Sequence, residues 1–142
     1  VVYVNNEPYQ LQDLGYDVNV LPVADYAHLV ANGLITNETT LRENPDLVYR
    51  MVQATMRGIK YTVTHPAEAY ADSENYVEGL PFADDIHRTA EVQRYAALYQ
   101  IEPYGYSDPA GWENMQTVLL NMGLLTEPLD LSAAFTNEFV EQ

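Results

Sequence analysis

The spacing of apolar residues changes character about a quarter of the way along the chain. Val1-Val2-Tyr3-Val4 is a β-branched and aromatic run that predicts a strand, and Asn5-Asn6-Glu7-Pro8 stops it. Proline suits the first turn of a helix, where its missing N–H has no partner to lose, so a short helix is expected over Pro8 to Leu14, closed by Gly15. Asp17 to Val23 reads as a second strand carrying Val18, Val20 and Val23, and Leu29 to Ile35 as a third short extended piece. Strand, helix and strand in succession is the rhythm of an α/β protein.

From Asn37 onward the pattern turns helical. Thr39 to Glu43 reads as one turn, and Asn44-Pro45-Asp46 then combines a capping side chain, a first-turn proline and an acid near the positive end of the helix dipole. Leu47, Val48, Met51, Val52, Thr55, Ile59 and Val63 repeat at 3.6 residues, with Arg50, Gln53, Arg57 and Lys60 on the wetter side. Thr64-His65-Pro66 ends that helix and starts another, with Glu68 in its first turn; Ser73 to Pro81 is loop-like. Asp84 to Gln100 predicts an amphipathic helix with Val92, Tyr95, Ala96 and Tyr99 on one side, and Pro103 to Tyr106 breaks it. Ser107-Asp108-Pro109 starts the next, with Trp112, Met115, Val118, Leu119 and Met122 as its inward stripe and Gly123 as its stop. Leu129 to Gln142 reads as one or two short helical turns, and no repeat, low-complexity segment or linker interrupts the chain.

Charge narrows the chemistry. Six Lys and Arg stand against 21 Asp and Glu in 142 residues, a net −15, which repels phosphate backbones and anionic membrane surfaces and argues against nucleic acid as a partner. No cysteine is present, which removes disulfides, thiolate metal sites and a thiol nucleophile. No run of 18 apolar residues and no secretory leader pattern is found. Twelve tyrosines supply half-buried contacts or rings that can stack on a flat ligand. The glycines are scattered, with no phosphate-binding loop, and His28, His65 and His87 lack metal-ligand spacing. Capping or exposure is expected of His65, exposure of His87, and a structural or surface role of His28. The acids Asp84-Asp85, and Glu138 with Glu141, read as solvated faces. No catalytic or metal-ligating set emerges, and no cofactor is implied.

One place has the setting of a ligand site. Asn6 and Glu7 fall where the first predicted strand gives way to a helix, and open α/β sheets hold ligands beyond the carboxyl ends of their strands. A carboxylate there accepts N–H donors and repels sulfonate or phosphate. The alternative is that Asn6 caps the helix and Glu7 is an acid at its start. Asp25 and Tyr26, after the second predicted strand, pose the same choice.

Read in order, Val1 to Gly15, Asp17 to Asp25, Asn44-Pro45-Asp46-Leu47-Val48, His65-Pro66-Ala67-Glu68-Ala69, Trp112 with Gln116, Gly123-Leu124-Leu125 and Phe135-Thr136-Asn137-Glu138-Phe139 resemble the C-terminal half of the NMT1/THI5-like proteins. These are substrate-binding proteins of ABC importers for thiamine-pyrimidine precursors, riboflavin, aliphatic sulfonates and nitrate. The resemblance implies a type II periplasmic-binding-protein fold, two α/β lobes with the ligand in the cleft between them, in a protein about twice this length. It implies that residues 1–26 form the end of the second lobe and a crossing segment, and that 27–142 form the returning, mostly helical part of the first lobe. A few short strands need more sheet than this chain supplies, so either self-association or association with the missing N-terminal half is expected.

By the same resemblance Glu7 stands where thiamine-precursor binders use a cleft glutamate, with Asn6 beside it, and Tyr26 stands near the cleft wall. An acid suits an aminopyrimidine or a flavin ring better than a sulfonate or nitrate. The expected function is therefore non-catalytic: capture of a small heteroaromatic vitamin or precursor and its delivery to an ABC permease, outside the cytoplasm. The family also contains fungal enzymes that build the thiamine pyrimidine, which carry a cysteine-rich iron-binding run before the helix corresponding to Asn44-Pro45. Here that region reads Asp25-Tyr26-Ala27-His28-Leu29-Val30, without cysteine, and Lys60 is the sole lysine. A generic acidic interaction module is the third alternative; it would have a self-sufficient core and no cleft.

Overall fold

The computed structural model describes residues 2–77, 85–98 and 103–140, with the backbone alone over 85–91. Its regular elements are helices: α1 (Glu7–Asp13), α2 (Glu38–Glu43), α3 (Pro45–Thr64), α4 (Pro66–Ser73), α5 (Asp85–Leu98) and α6 (Pro109–Asn121), with single 3-10 turns at Val23–Asp25 and Leu131–Ala133. Each α-helix starts within a residue or two of the expected position. The mostly helical half of the expected fold class therefore holds.

The strands do not. Among the described residues there is no β-strand. Residues 4–6 form a turn, and 17–22 and 27–37 are irregular, with a 3-10 turn at Val23–Asp25 where the second strand was expected to end. A strand is defined by the neighbour it bonds to, and β-branched residues only favour a pleated, half-buried surface once that neighbour exists. Val18, Val20 and Val30 have the side chains of strand residues and no paired backbone beside them.

Two units divide the chain, one of Val1–Val20 with Ala54–Tyr104, the other of Leu21–Gln53 with Gly105–Gln142. In the first, α1 ends in a left-handed residue: Gly15 has φ of 86°, its N–H donates to the Gln12 carbonyl at 2.8 Å and that of Tyr16 to Leu11 at 3.0 Å. This double bond is the Schellman closure that a terminal glycine permits. The Arg94 guanidinium of α5 lies 4.0 Å above the Tyr9 ring of α1, a cation–π contact. At the turn from α3 to α4, Tyr61 and His65 stack with centroids 5.0 Å apart. His65 occupies the N-cap position of α4 without bonding its N–H groups; its Nδ1 instead meets the Thr64 hydroxyl at 2.8 Å. Tyr61 donates its hydroxyl proton to Glu68 at 2.9 Å. Ala96 of α5 is a buried apolar residue of this unit.

In the second unit side-chain oxygens cap two helices. Asn37 accepts from the Thr40 N–H at 2.8 Å at the start of α2, and Asp108 from the Ala110 N–H at 3.0 Å at the start of α6. The other oxygen of Asp108 pairs with His28 Nε2 at 3.0 Å, and Asn114 of α6 donates to the His28 carbonyl at 3.1 Å. Gly111 is buried beneath this contact, where a Cβ would come within 3.3 Å of Val30. His28 thus has the structural role expected of it. The Asn137 amide exchanges two bonds with the backbone of Ser107, at 2.8 and 2.9 Å, as a paired strand residue would. Gln116 accepts from the Leu129 N–H at 2.6 Å. Trp112 stacks nearly parallel on Phe135, 5.0 Å between centroids, with its buried Nε1–H lacking an acceptor. Gln53, expected on the wet side of α3, is half-buried and donates to the Phe139 carbonyl at 2.9 Å. Met122, expected in the inward stripe of α6, is 65% exposed. His87, Tyr99, the Asp84-Asp85 pair and Glu141 lie outside the residues whose side chains are described.

Candidate ligand-binding site

The corner at residues 5–9 is built from its backbone outward. The Asn6 N–H donates to the Tyr3 carbonyl at 3.2 Å, and the Asn6 carbonyl accepts from Tyr9 and Gln10, so the chain turns directly into α1. Pro8 at the second helical position is buried, and Asn5 is a buried polar residue, 5% exposed. Asn6 and Glu7 are half-buried between them. Asn6 does not cap the helix. Its Oδ1 accepts from Gln10 Nε2 at 2.8 Å, one turn along. Glu7 Oε2 accepts from the Tyr3 N–H at 2.9 Å, which holds the carboxylate against the preceding turn rather than letting it sweep through solvent. A carboxylate fixed by one backbone donor retains lone pairs for a second, and it stands in the first turn, where the dipole favours the anion.

Asp25 and Tyr26 sit on the 3-10 turn in the other unit. Tyr26 donates its N–H to the Val23 carbonyl at 3.0 Å, and the residue is 82% exposed. Asp25 is exposed as well. The four candidates therefore form two sequence-adjacent pairs, one in each unit. Among the described residues, no group of three His, Asp or Glu side chains could hold a metal ion, and no helix is long and apolar enough to cross a membrane.

Concave surface occurs elsewhere. A groove of about 390 Å³ in the first unit runs between α3, α4 and α5, past Gly58, Ile59, Val63, Tyr70, Val92 and Tyr95. A smaller hollow of about 230 Å³ in the second unit is lined by Pro45, Asp46, Tyr49, Glu138 and Phe139. Neither includes Asn6, Glu7, Asp25 or Tyr26. The groove was not foreseen from the pattern of residues, although a glycine inside an amphipathic helix is the signal that marks it.

Residues 1–69 match the family described as NMT1/THI5 like, a span that holds the Glu7 corner, the Asn44-Pro45 start and the His65-Pro66 start. Over 143 aligned positions, 97% of this chain, the sequence is 36% identical to riboflavin-binding protein RibY of Chloroflexus aurantiacus. Both matches support membership of the NMT1/THI5-like family. It spans 41% of the length of that curated relative. No solved structure matches it.

Proposed function

We propose that this chain is the C-terminal portion of a solute-binding protein that takes up riboflavin, or a flat heteroaromatic ring of the same kind, and presents it to an ABC permease outside the cytoplasm. The observation that carries this reading is the 36% identity, over almost the whole chain, to a protein named for riboflavin binding. The geometry at Glu7 supports it. A half-buried carboxylate anchored by the Tyr3 N–H is an acceptor for a ring N–H, and it disfavours the anionic ligands of the sulfonate and nitrate subgroups. In this reading residues 1–26 end one lobe and cross to the other, residues 27–142 complete that other lobe in a type II arrangement, and Asn6, Asp25 and Tyr26 line the cleft. Ligand bound to both lobes favours the closed form, the one that docks on the permease. No covalent step is involved, and no metal or cofactor takes part.

Titration of riboflavin fluorescence with the complete protein tests this. Saturable quenching is expected, with Glu7→Ala weakening affinity about 10- to 100-fold, the loss of one charge-assisted hydrogen bond. Absence of quenching by the wild-type protein overturns the ligand assignment. Unchanged affinity in Glu7→Ala overturns the site while leaving the ligand.

A further inference from the structure

Asn32-Gly33 is the one Asn-Gly pair in the chain. That dipeptide ordinarily makes a two-residue hairpin turn, which needs positive φ at both residues. Here neither residue has a positive φ, so the pair is not locked in that turn. Both residues are exposed, in the irregular stretch 27–37. The Gly33 N–H donates to no backbone carbonyl among the described residues, and a Cβ built on Gly33 would meet no atom within 4 Å. The nucleophile that a neighbouring side-chain amide can meet, a backbone nitrogen without a Cβ or a hydrogen bond in its way, is therefore present.

Other asparagines of this unit are arranged differently. Asn37, Asn114 and Asn137 have carboxamides engaged in hydrogen bonds, and each is followed by a residue larger than glycine. Asn44 precedes Pro45, which has no N–H to lose.

From this contrast we infer that Asn32 is a site of spontaneous covalent modification, deamidation through a cyclic imide, with water as the co-reactant. The Gly33 backbone nitrogen gives up its proton and attacks the Asn32 side-chain carbonyl carbon. A new C–N bond closes a five-membered ring, the bond to the side-chain nitrogen breaks, and ammonia leaves with a proton. Water then opens the ring at either carbonyl. Opening at the side-chain carbonyl leaves aspartate, and opening at the backbone carbonyl leaves isoaspartate, in which the main chain runs through the former side chain.

Either product adds a carboxylate to a chain already at a net −15. Isoaspartate also lengthens the backbone by one methylene inside a segment held at both ends. On one side the His28 carbonyl accepts from Asn114 of α6 at 3.1 Å and its ring pairs with Asp108 at 3.0 Å; on the other, Asn37 caps α2. The inference rests on residues 32–33 and their surroundings, not on the transport reading or the ligand.

The test is incubation of the complete protein at neutral and mildly alkaline pH, followed by proteolysis and mass spectrometry of the Asn32 peptide, with isoaspartate scored separately. Asn32 is expected to deamidate faster than every other asparagine, faster as pH rises, and in the folded protein within about 10-fold of its rate in the denatured protein. Gly33→Ala, for which there is room and no positive φ to strain, is expected to slow the reaction at least about 10-fold, about 1.4 kcal/mol of barrier. An Asn32 that reacts no faster than the other asparagines overturns the proposal. So does stronger protection by the fold, or a rate that Gly33→Ala leaves unchanged. A protein that deamidates at Asn32 yet binds no riboflavin keeps this site and loses the ligand assignment alone.

Discussion

At the scale of single residues, the contact most open to titration is Tyr61 with Glu68. The hydrogen bond to the Glu68 carboxylate, then burial, then the negative charges of Glu68 and Asp72 all push the Tyr61 hydroxyl above its ordinary value of 10.0. A group raised in the folded state contributes stability that is fully present below its unfolded value and disappears as pH climbs through the folded one. The stability difference between wild type and Tyr61→Phe is therefore expected to be constant over about pH 6–9 and to shrink above about pH 10, since ionised Tyr61 can no longer donate. Denaturant unfolding of the complete protein at stepped pH measures it; a difference that widens in alkali would refute the assignment. Asp130 shows the reverse sign. Bonds from the Ser132 hydroxyl and N–H hold its carboxyl below 3.8, so its contribution is present above that value and is lost on acidification.

Among elements, α6 shows how punctuation residues fix a helix. Asp108 opens it, and Gly123 closes it at φ of 71°, with the Gly123 N–H on the Leu120 carbonyl at 3.0 Å and the Leu124 N–H on Leu119 at 2.9 Å. A Cβ at Gly123 would meet no atom within 4 Å, so the cost of Gly123→Ala is purely that of a left-handed backbone with a side chain, about 1 kcal/mol. Trp112, the single tryptophan and part of α6, reports the transition; a shift near zero would mean that the closure is dispensable. The same local chemistry explains what could be read from residue order. Pro8 with Gly15, Asn44-Pro45 and Asp108-Pro109 each act within one turn of chain, and each helix stands where they put it. The expected strands failed because pairing is not local: no turn residue specifies which backbone lies beside Val20. The candidate site was legible only as a position, a carboxylate at the start of α1. The bond from the Tyr3 N–H that fixes Glu7, and the diversion of Asn6 to Gln10, depend on geometry that spacing does not encode.

For the molecule as a whole, the groove makes opposite demands on Gly58 depending on what covers it. Gly58 is exposed in the interior of α3, where leucine is favoured over glycine by about 0.8 kcal/mol through backbone propensity alone. If water fills the groove, Gly58→Leu has room, as no atom lies within 4 Å of its Cβ position, and the substitution stabilises the protein by roughly that amount. If a docked segment fills it, the added side chain overpacks an occupied interface and destabilises the complete protein by about 1–3 kcal/mol. The second outcome is expected, and the sign of the change in denaturant midpoint decides between them. The expected sign is the same whichever ring the protein binds. It follows from the thinness of the core: with Pro8, Ala96 and Phe139 as the buried apolar residues described, the half-buried stripe of Val52, Ile59 and Val63 along α3 lacks the cover that an amphipathic helix of 20 residues requires to be stable in water.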